Sequence, residues 1–202
     1  MFYLKILHKK PQCLRYYDVD TSLSGALTMS TSQIWVARDY LNCSGCRRCE
    51  VACSLKHEGK IWPEASRVRV FMLVPTLEIP HLCAQCDNAP CIPSCPVNAL
   101  SRSEKTGAIL VDSEKCISCG KCVAACPGRV PFLHPETNKA TICDLCDGAP
   151  ECVRVCQEGR YNALWTAMRT PGVSYKLYAK TPEKVTEELA ARMYRDLAKE
   201  LV

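Results

Sequence analysis

Two stretches in the middle of the chain decide how the rest is read: CAQCDNAPCIPSCP at residues 83–96 and CISCGKCVAACP at residues 116–127. Each packs four cysteines into a short run that ends in Cys-Pro. The first is Cys83-x2-Cys86-x4-Cys91-x3-Cys95-Pro96 and the second Cys116-x2-Cys119-x2-Cys122-x3-Cys126-Pro127. Cysteines at this spacing let a tight loop wrap three corners of an iron–sulfur cubane while backbone N–H groups face the sulfurs. The fourth cysteine then reaches the other cluster of a pair. The proline turns the chain away after that ligand. A structural zinc site also uses C-x2-C pairs, but it separates two of them by a longer linker.

Working outward, the pattern recurs on both sides as Cys43-x2-Cys46-x2-Cys49-x3-Cys53 and Cys143-x2-Cys146-x5-Cys152-x3-Cys156. Sixteen of the seventeen cysteines therefore fall into four groups, and only Cys13 stands apart, as a spare thiol. The expectation is four [4Fe–4S] clusters. The exchange rule gives one cluster to Cys83, Cys86, Cys91 and Cys126 and its neighbour to Cys116, Cys119, Cys122 and Cys95. Nesting the outer groups around this pair by pseudo-symmetry joins Cys43, Cys46 and Cys49 with Cys156, and Cys143, Cys146 and Cys152 with Cys53.

Composition agrees. Aromatic residues make up only 7% of the chain, so bulky core material is thin and something other than side chains must fill the interior. A secreted disulfide framework is excluded by the odd cysteine count, the metal-ligand spacing and the lack of an apolar leader. Arg47-Arg48 lies between two cysteines and is no export signal. No run of eighteen or more apolar residues suggests a membrane span, and this many thiolates point to a reducing cytoplasm. The formal net charge of +5 counts cysteines as neutral. Four clusters at about −2 each would add roughly −8 and bring the holoprotein near −3. The basic excess, with Arg47, Arg48 and Lys121 inside the motifs, reads as counter-charge rather than as a nucleic-acid footprint.

Between the groups, Arg67–Val74, Gly107–Asp112 and Lys139–Ile142 read as strands, and short helices are expected at Val97–Leu100 and Val123–Ala125. The fold class is α+β: two pseudo-symmetric ferredoxin-like modules of the bacterial 2[4Fe–4S] type with a C-terminal helix. Residues 1–39 form an N-terminal extension, with Met29 an alternative start that would make 1–28 an upstream segment. Residues 40–159 form the double domain, with an inner module at 80–130 and an outer one at 40–79 with 131–159. Residues 160–202 form a C-terminal extension with an amphipathic helix over 182–201. Thr181 caps that helix, Pro182 suits its first position, and Glu183 favours the positive end of its dipole. Val185, Leu189, Met193, Leu197 and Leu201 recur along one face, which leaves packing on its own domain and docking to a partner both open.

No catalytic constellation emerges. His8, His57, His81 and His134 are scattered; His57 and His81 lie near ligand loops, as turn caps or sulfur partners. Asp144 and Asp147 flank Cys146. There is no GxGxxG fingerprint and no P-loop. Clusters without a substrate site make a wire, with potentials set by hydrogen bonds, nearby charge and exposure.

The four-group layout resembles the ferredoxin-like iron–sulfur subunits of molybdenum and tungsten oxidoreductases. The resemblance covers roughly Tyr40 to Gly159 and is carried by Cys43–Cys53, Cys83–Cys95, Cys116–Cys126 and Cys143–Cys156. Among these the chain is most similar to small subunits accompanying tungsten enzymes of the aldehyde ferredoxin oxidoreductase family. That implies a non-catalytic electron-transfer role in anaerobic metabolism. The partner would be a large tungstopterin (or molybdopterin) subunit, first of all an aldehyde oxidoreductase, with electrons passed to or from a flavin/NAD subunit or a soluble ferredoxin. Partners of benzoyl-CoA reductase, dimethyl sulfoxide reductase, formate dehydrogenase or hydrogenase type, a free polyferredoxin and a zinc-binding structural module are the alternatives. Two departures argue against the dimethyl sulfoxide reductase type. The third group continues Cys126-Pro127-Gly128-Arg129 where that type commonly has an aromatic after Cys-Pro, and the fourth ends Cys156-Gln157 rather than Cys-Pro. Metal analysis of the purified chain should return about sixteen iron atoms and a broad brown absorbance; about four zinc atoms in a colourless protein would overturn the reading.

Overall fold

The computed structural model describes residues 33–201; Met29 and Cys13 lie outside them. Four two-stranded antiparallel sheets occur among the described residues. β1 (Ile34–Arg38) pairs with β8 (Leu164–Met168), β2 (Arg69–Val74) with β3 (Leu77–His81), β4 (Leu100–Arg102) with β5 (Ile109–Val111), and β6 (Phe132–Leu133) with β7 (Ala140–Thr141). Their placement follows a rule. The second strand of each hairpin runs into the first cysteine of a group, and the first strand follows the last cysteine of the group before. β1 and β8 obey it across the chain ends, because β1 leads to Cys43 and β8 follows Cys156.

Two hairpins show the repeat at atomic level. In β4–β5, Ser103 N–H donates to Ala108 O (2.8 Å) and Gly107 N–H to Ser103 O (2.9 Å). In β6–β7, His134 N–H donates to Lys139 O (2.8 Å) and Asn138 N–H to His134 O (2.9 Å). The partners are 31 residues apart (103 to 134, 107 to 138), the same step that separates Cys95 from Cys126. Gly107 and Asn138 both adopt the left-handed conformation (φ 76° and 55°) that Gly and Asn tolerate best.

Helices follow the groups unevenly. α1 (Arg48–Glu58) and α3 (Glu151–Glu158) carry cysteines of the outer groups and pack on each other, while α2 (Lys121–Ala125) carries Cys122 of the third. The helix expected at Val97–Leu100 does not form. Asn98 turns left-handed (φ 50°), Ala99 N–H is drawn to the Cys95 sulfur (3.2 Å), and Leu100 opens β4. The three expected strands are present with shorter bounds. β1, in a segment for which the sequence offered no element, was missed.

The apolar interior consists of small aliphatic clusters in which cysteines are members. Its fully buried side chains are Ile79, Leu82, Ile109, Leu145, Leu164, Val36 and Val68 rather than aromatic rings. The main aromatic anchor is Tyr178 at the end of α4 (Val173–Tyr178). Its hydroxyl accepts from Arg38 N–H (3.1 Å) and donates to Arg38 O (2.9 Å), and the Arg38 guanidinium lies over its ring at 4.3 Å.

α5 (Pro182–Tyr194) begins as read: Thr181 Oγ1 accepts from Lys184 N–H (3.4 Å) and Pro182 takes the first position. It does not run on to 201. Arg195 (φ 50°, ψ −116°) breaks it, a 3-10 turn follows at Arg195–Leu197, and α6 occupies Ala198–Leu201. The break splits the expected stripe. Val185 and Ala190 are buried and Leu189 packs beside them on the β2–β3 hairpin near Val74 and Leu77, whereas Met193, Leu197 and Leu201 are exposed. Ala190 has no exposed surface. Ala190→Arg would force an unpaired charge into that contact and should detach α5: hydrogen exchange across 182–194 should lose its protection while iron content stays at the wild-type value.

Candidate metal centres

The four cysteine loops share a backbone device. The residue before the second cysteine is left-handed in every group: Gly45 (φ 68°), Gln85 (φ 50°), Ser118 (φ 58°) and Leu145 (φ 60°). In three groups the residue after that cysteine is left-handed too: Arg47 (φ 55°), Gly120 (φ 70°) and Asp147 (φ 55°). For a non-glycine residue this costs about 1–3 kcal/mol, and its repetition at equivalent places shows the loops bent for a purpose. Such bends aim successive N–H groups into a concavity that favours negative charge. Sulfurs take part: Gln85 N–H donates to Cys83 Sγ (3.4 Å), Arg67 N–H to Cys53 Sγ (3.3 Å) and Ala140 N–H to Cys116 Sγ (3.4 Å).

Two cavities collect cysteines from different groups. One is lined by Cys83, Cys86, Cys91 and Cys126 together with Ile109, Val130 and Ile142. Another is lined by Cys43, Cys46, Cys49 and Cys156 with Arg47 and Arg48. Electrostatic neighbours extend the picture. Cys152 feels Cys143, Cys53, Cys49 and Cys146, and Cys122 feels Cys116 and Cys119. Cys95 packs in the same apolar cluster as Cys116 and Cys122. Electrostatic influence also links the expected sets: Cys143 on Cys83, Cys122 on Cys91, and Cys49 on Cys152.

Burial, reinforced by adjacent sulfurs, pushes several of these thiols up: Cys49 and Cys143 up to about 12, Cys91 to about 11, Cys83 and Cys152 well above the ordinary value. Cys53 differs. Burial raises it too, but hydrogen bonds from His57, Arg67 and Ser66 override that and lower it. Clustered sulfurs with N–H donors fit a soft thiolate-bound metal or iron–sulfur cluster and not a hard cation. Cys46 and Cys119 are exposed, while the other grouped cysteines are buried or half-buried.

Cations address the ligand residues through their carbonyls. Arg102 donates to Cys86 O, Lys139 Nζ to Cys116 O (2.6 Å) and Arg38 Nη1 to Leu82 O (2.9 Å). None of these three was singled out in the sequence, because none lies inside a motif. Of those that were, Arg47 pairs with Glu50 (3.3 Å), whose carboxylate also accepts Val70 N–H (2.6 Å), and Lys121 is exposed.

His81 Nε2–H donates to Gly128 O (2.8 Å), and burial with the nearby Arg38 charge lowers its pKa to about 4. His57 was read as one of a scattered set, yet His57, Asp144 and Cys146 bring ligand-type atoms within 4.8 Å of one another. His57 Nε2 faces Asp144 Oδ1 at 3.1 Å, and Arg67 Nη1 reaches Asp144 Oδ2 at 2.5 Å. Burial works to lower the His57 pKa, but bonds to Asp144 and to the Cys146 and Cys53 sulfurs raise it to about 12. The one signal available in the sequence was the one-turn spacing of Cys53 and His57 on α1; Asp144 is too distant along the chain to be foreseen.

Residues 74–165 match the family described as a 4Fe-4S dicluster domain, and residues 40–56 match a 4Fe-4S binding domain. The chain is 49% identical over 162 residues to the polyferredoxin-like subunit of aliphatic sulfonate oxidoreductase of Pyrococcus furiosus, covering 80% of this chain and 94% of that one. It is 37% identical over 143 residues to the thiosulfate reductase electron transfer subunit PhsB of Salmonella typhi, covering 62% and 72%. Among solved structures, a chain of the active site complex BamBC of benzoyl coenzyme A reductase is 25% identical, covering 83% of this chain and 96% of that one with a TM-score of 0.40. No helix among the described residues is long and apolar enough to cross a membrane.

Gln85 ties the loops together. Fully buried, it donates from Nε2 to Cys143 O (2.9 Å) and accepts Ile109 N–H on Oε1 (3.1 Å). Gln85→Leu strands both groups at about 1–3 kcal/mol each. The iron–sulfur absorbance of the variant should bleach at lower denaturant concentration than that of the wild type.

Proposed function

The chain belongs to the family of 4Fe-4S electron-transfer subunits of oxidoreductase complexes, and on that premise we propose that it holds four [4Fe–4S] clusters in a single file. In order, their ligands are Cys116, Cys119, Cys122 and Cys95; Cys83, Cys86, Cys91 and Cys126; Cys143, Cys146, Cys152 and Cys53; and Cys43, Cys46, Cys49 and Cys156. When bound, each cluster accepts and releases one electron. The observation that carries the reading is the pair of cavities, each lined by three cysteines of one group and the fourth cysteine of another. The order is supported by thiols that a sulfur of another set raises electrostatically, Cys91 by Cys122, Cys83 by Cys143 and Cys152 by Cys49.

The residues of the chain do three things in this reading. The left-handed loop positions aim N–H groups at the sulfurs. The aliphatic side chains around the inner sets exclude water, and the exposed Cys46 and Cys119 mark the two ends where electrons enter and leave. The 31-residue step relates the second group and the hairpin after it to the third group and its hairpin, which supports an internal repeat of the two-cluster ferredoxin type. The wire is non-catalytic and cytoplasmic, and it serves a large tungstopterin or molybdopterin subunit, with a flavin subunit or ferredoxin at the far end. The 49%-identical relative favours a sulfonate oxidoreductase as that partner over the aldehyde oxidoreductase the motif layout first suggested.

Cysteine exchange tests the sets directly. Cys156→Ser should alter the same electron paramagnetic resonance signal as Cys46→Ser, and Cys126→Ser the same signal as Cys91→Ser. An effect of Cys156→Ser on the signal of Cys146→Ser instead would dissolve the outer assignment. Affinity purification from the native host should bring down a pterin-containing subunit; its absence would leave a free polyferredoxin.

A further inference from the structure

Three side chains from separate segments converge beside two of the proposed ligands. His57 lies on α1, one turn after Cys53; Arg67 precedes β2; Asp144 sits between Cys143 and Cys146. His57 Nδ1 faces Cys53 O at 2.8 Å and Cys53 Sγ at 3.7 Å, while Nε2 faces Asp144 Oδ1 at 3.1 Å and Oδ2 at 3.3 Å. A carbonyl, a ligand sulfur and a carboxylate are all acceptors. A neutral imidazole offers one donor and one acceptor, so this ring fits its surroundings only by donating from both nitrogens. The carboxylate opposite it takes further donors, Arg67 Nη1 at 2.5 Å and Cys146 N–H at 2.9 Å. Arg67 also gives its backbone N–H to Cys53 Sγ at 3.3 Å. Two cationic side chains and one anionic one therefore stand against Cys53 and Cys146, with N–H donors directed at the Cys53 sulfur.

We propose that His57, anchored by Asp144 and flanked by Arg67, is a positioning residue that raises the reduction potential of the cluster held by Cys53, Cys143, Cys146 and Cys152. The inference rests on the ligand sets given above. Donors to a ligand sulfur and a net positive environment stabilise the reduced, more negative cluster, and hydrogen bonds and local charge are the ordinary means by which a protein sets such potentials.

The test is a redox titration of the full chain, reconstituted with iron and sulfide and followed by electron paramagnetic resonance. Cys53→Ser and Cys146→Ser first identify the signal, because both should alter the same one. His57→Leu should then move the midpoint of that signal downward by at least tenfold in the reduction equilibrium, about 59 mV for one electron, and leave the other steps and the iron content unchanged. His57→Gln, which keeps an N–H donor without the charge, should move the same step in the same direction by less. If the two serine variants alter different signals, the ligand set is wrong and the proposal falls with it. If they alter one signal and His57→Leu leaves its midpoint within twofold of wild type, the ligand set stands and the proposal is overturned. Loss of iron in both His57 variants also overturns it, in favour of a role in assembly.

Discussion

Burying sulfur drives everything else in this fold. A thiolate is poorly solvated inside a protein, and several of them side by side repel one another, which is why burial and mutual charge push so many of these thiols upward. The conflict is relieved by a cationic inorganic core bound to the sulfurs and by N–H groups aimed at them. The left-handed residues at 45, 85, 118 and 145 are the visible cost of aiming those groups. Because iron and inorganic sulfur take the place of a hydrocarbon interior, small aliphatic side chains suffice around them, and the scarcity of aromatic residues stops being a deficiency.

Polar groups divide their work by type. Sulfurs receive backbone N–H groups, whereas the cationic side chains of Arg102, Lys139 and Arg38 take the carbonyls of, or next to, the ligand residues. Peptide units in the loops are thereby used at both ends. Acidic residues near the sites are held by cations: Asp144 by Arg67 and His57, Glu50 by Arg47. Arg102, Lys139 and Arg38 thus bring positive charge up to the ligand loops from outside them, which suits the additional negative charge of bound clusters.

Much of this was legible in the sequence because metal ligation is local. A cubane demands its first three thiolates within one short loop, so cysteine spacing reports the loops and their number. The start signals at Thr181, Pro182 and Glu183 were equally local, and α5 starts where they placed it. What escaped notice depends on distant partners. β1 exists because β8 lies across from it 130 residues later (34 to 164), and nothing in IWVAR announces a mate. Val97–Leu100 has helical composition, but the pull of the Cys95 sulfur on Ala99 N–H wins over propensity. The spacing from Val185 to Leu201 was read as one face, but Met193 already faces solvent within α5, and the positive-φ Arg195 ends the helix before Leu197 and Leu201.

The closing of β1 onto β8 also bears on how the molecule is made. With the proposed sets, the second and third groups have all their ligands once Cys126 has left the ribosome, apart from the packing that Ile142 and the chain beyond it supply. The first and fourth groups exchange Cys53 and Cys156, and β1 has no partner strand until Met168 is synthesised. With those sets, complete ligand quartets become available from the centre of the sequence outward. The earliest grouped thiols, Cys43, Cys46 and Cys49, belong to the quartet that is completed last, at Cys156.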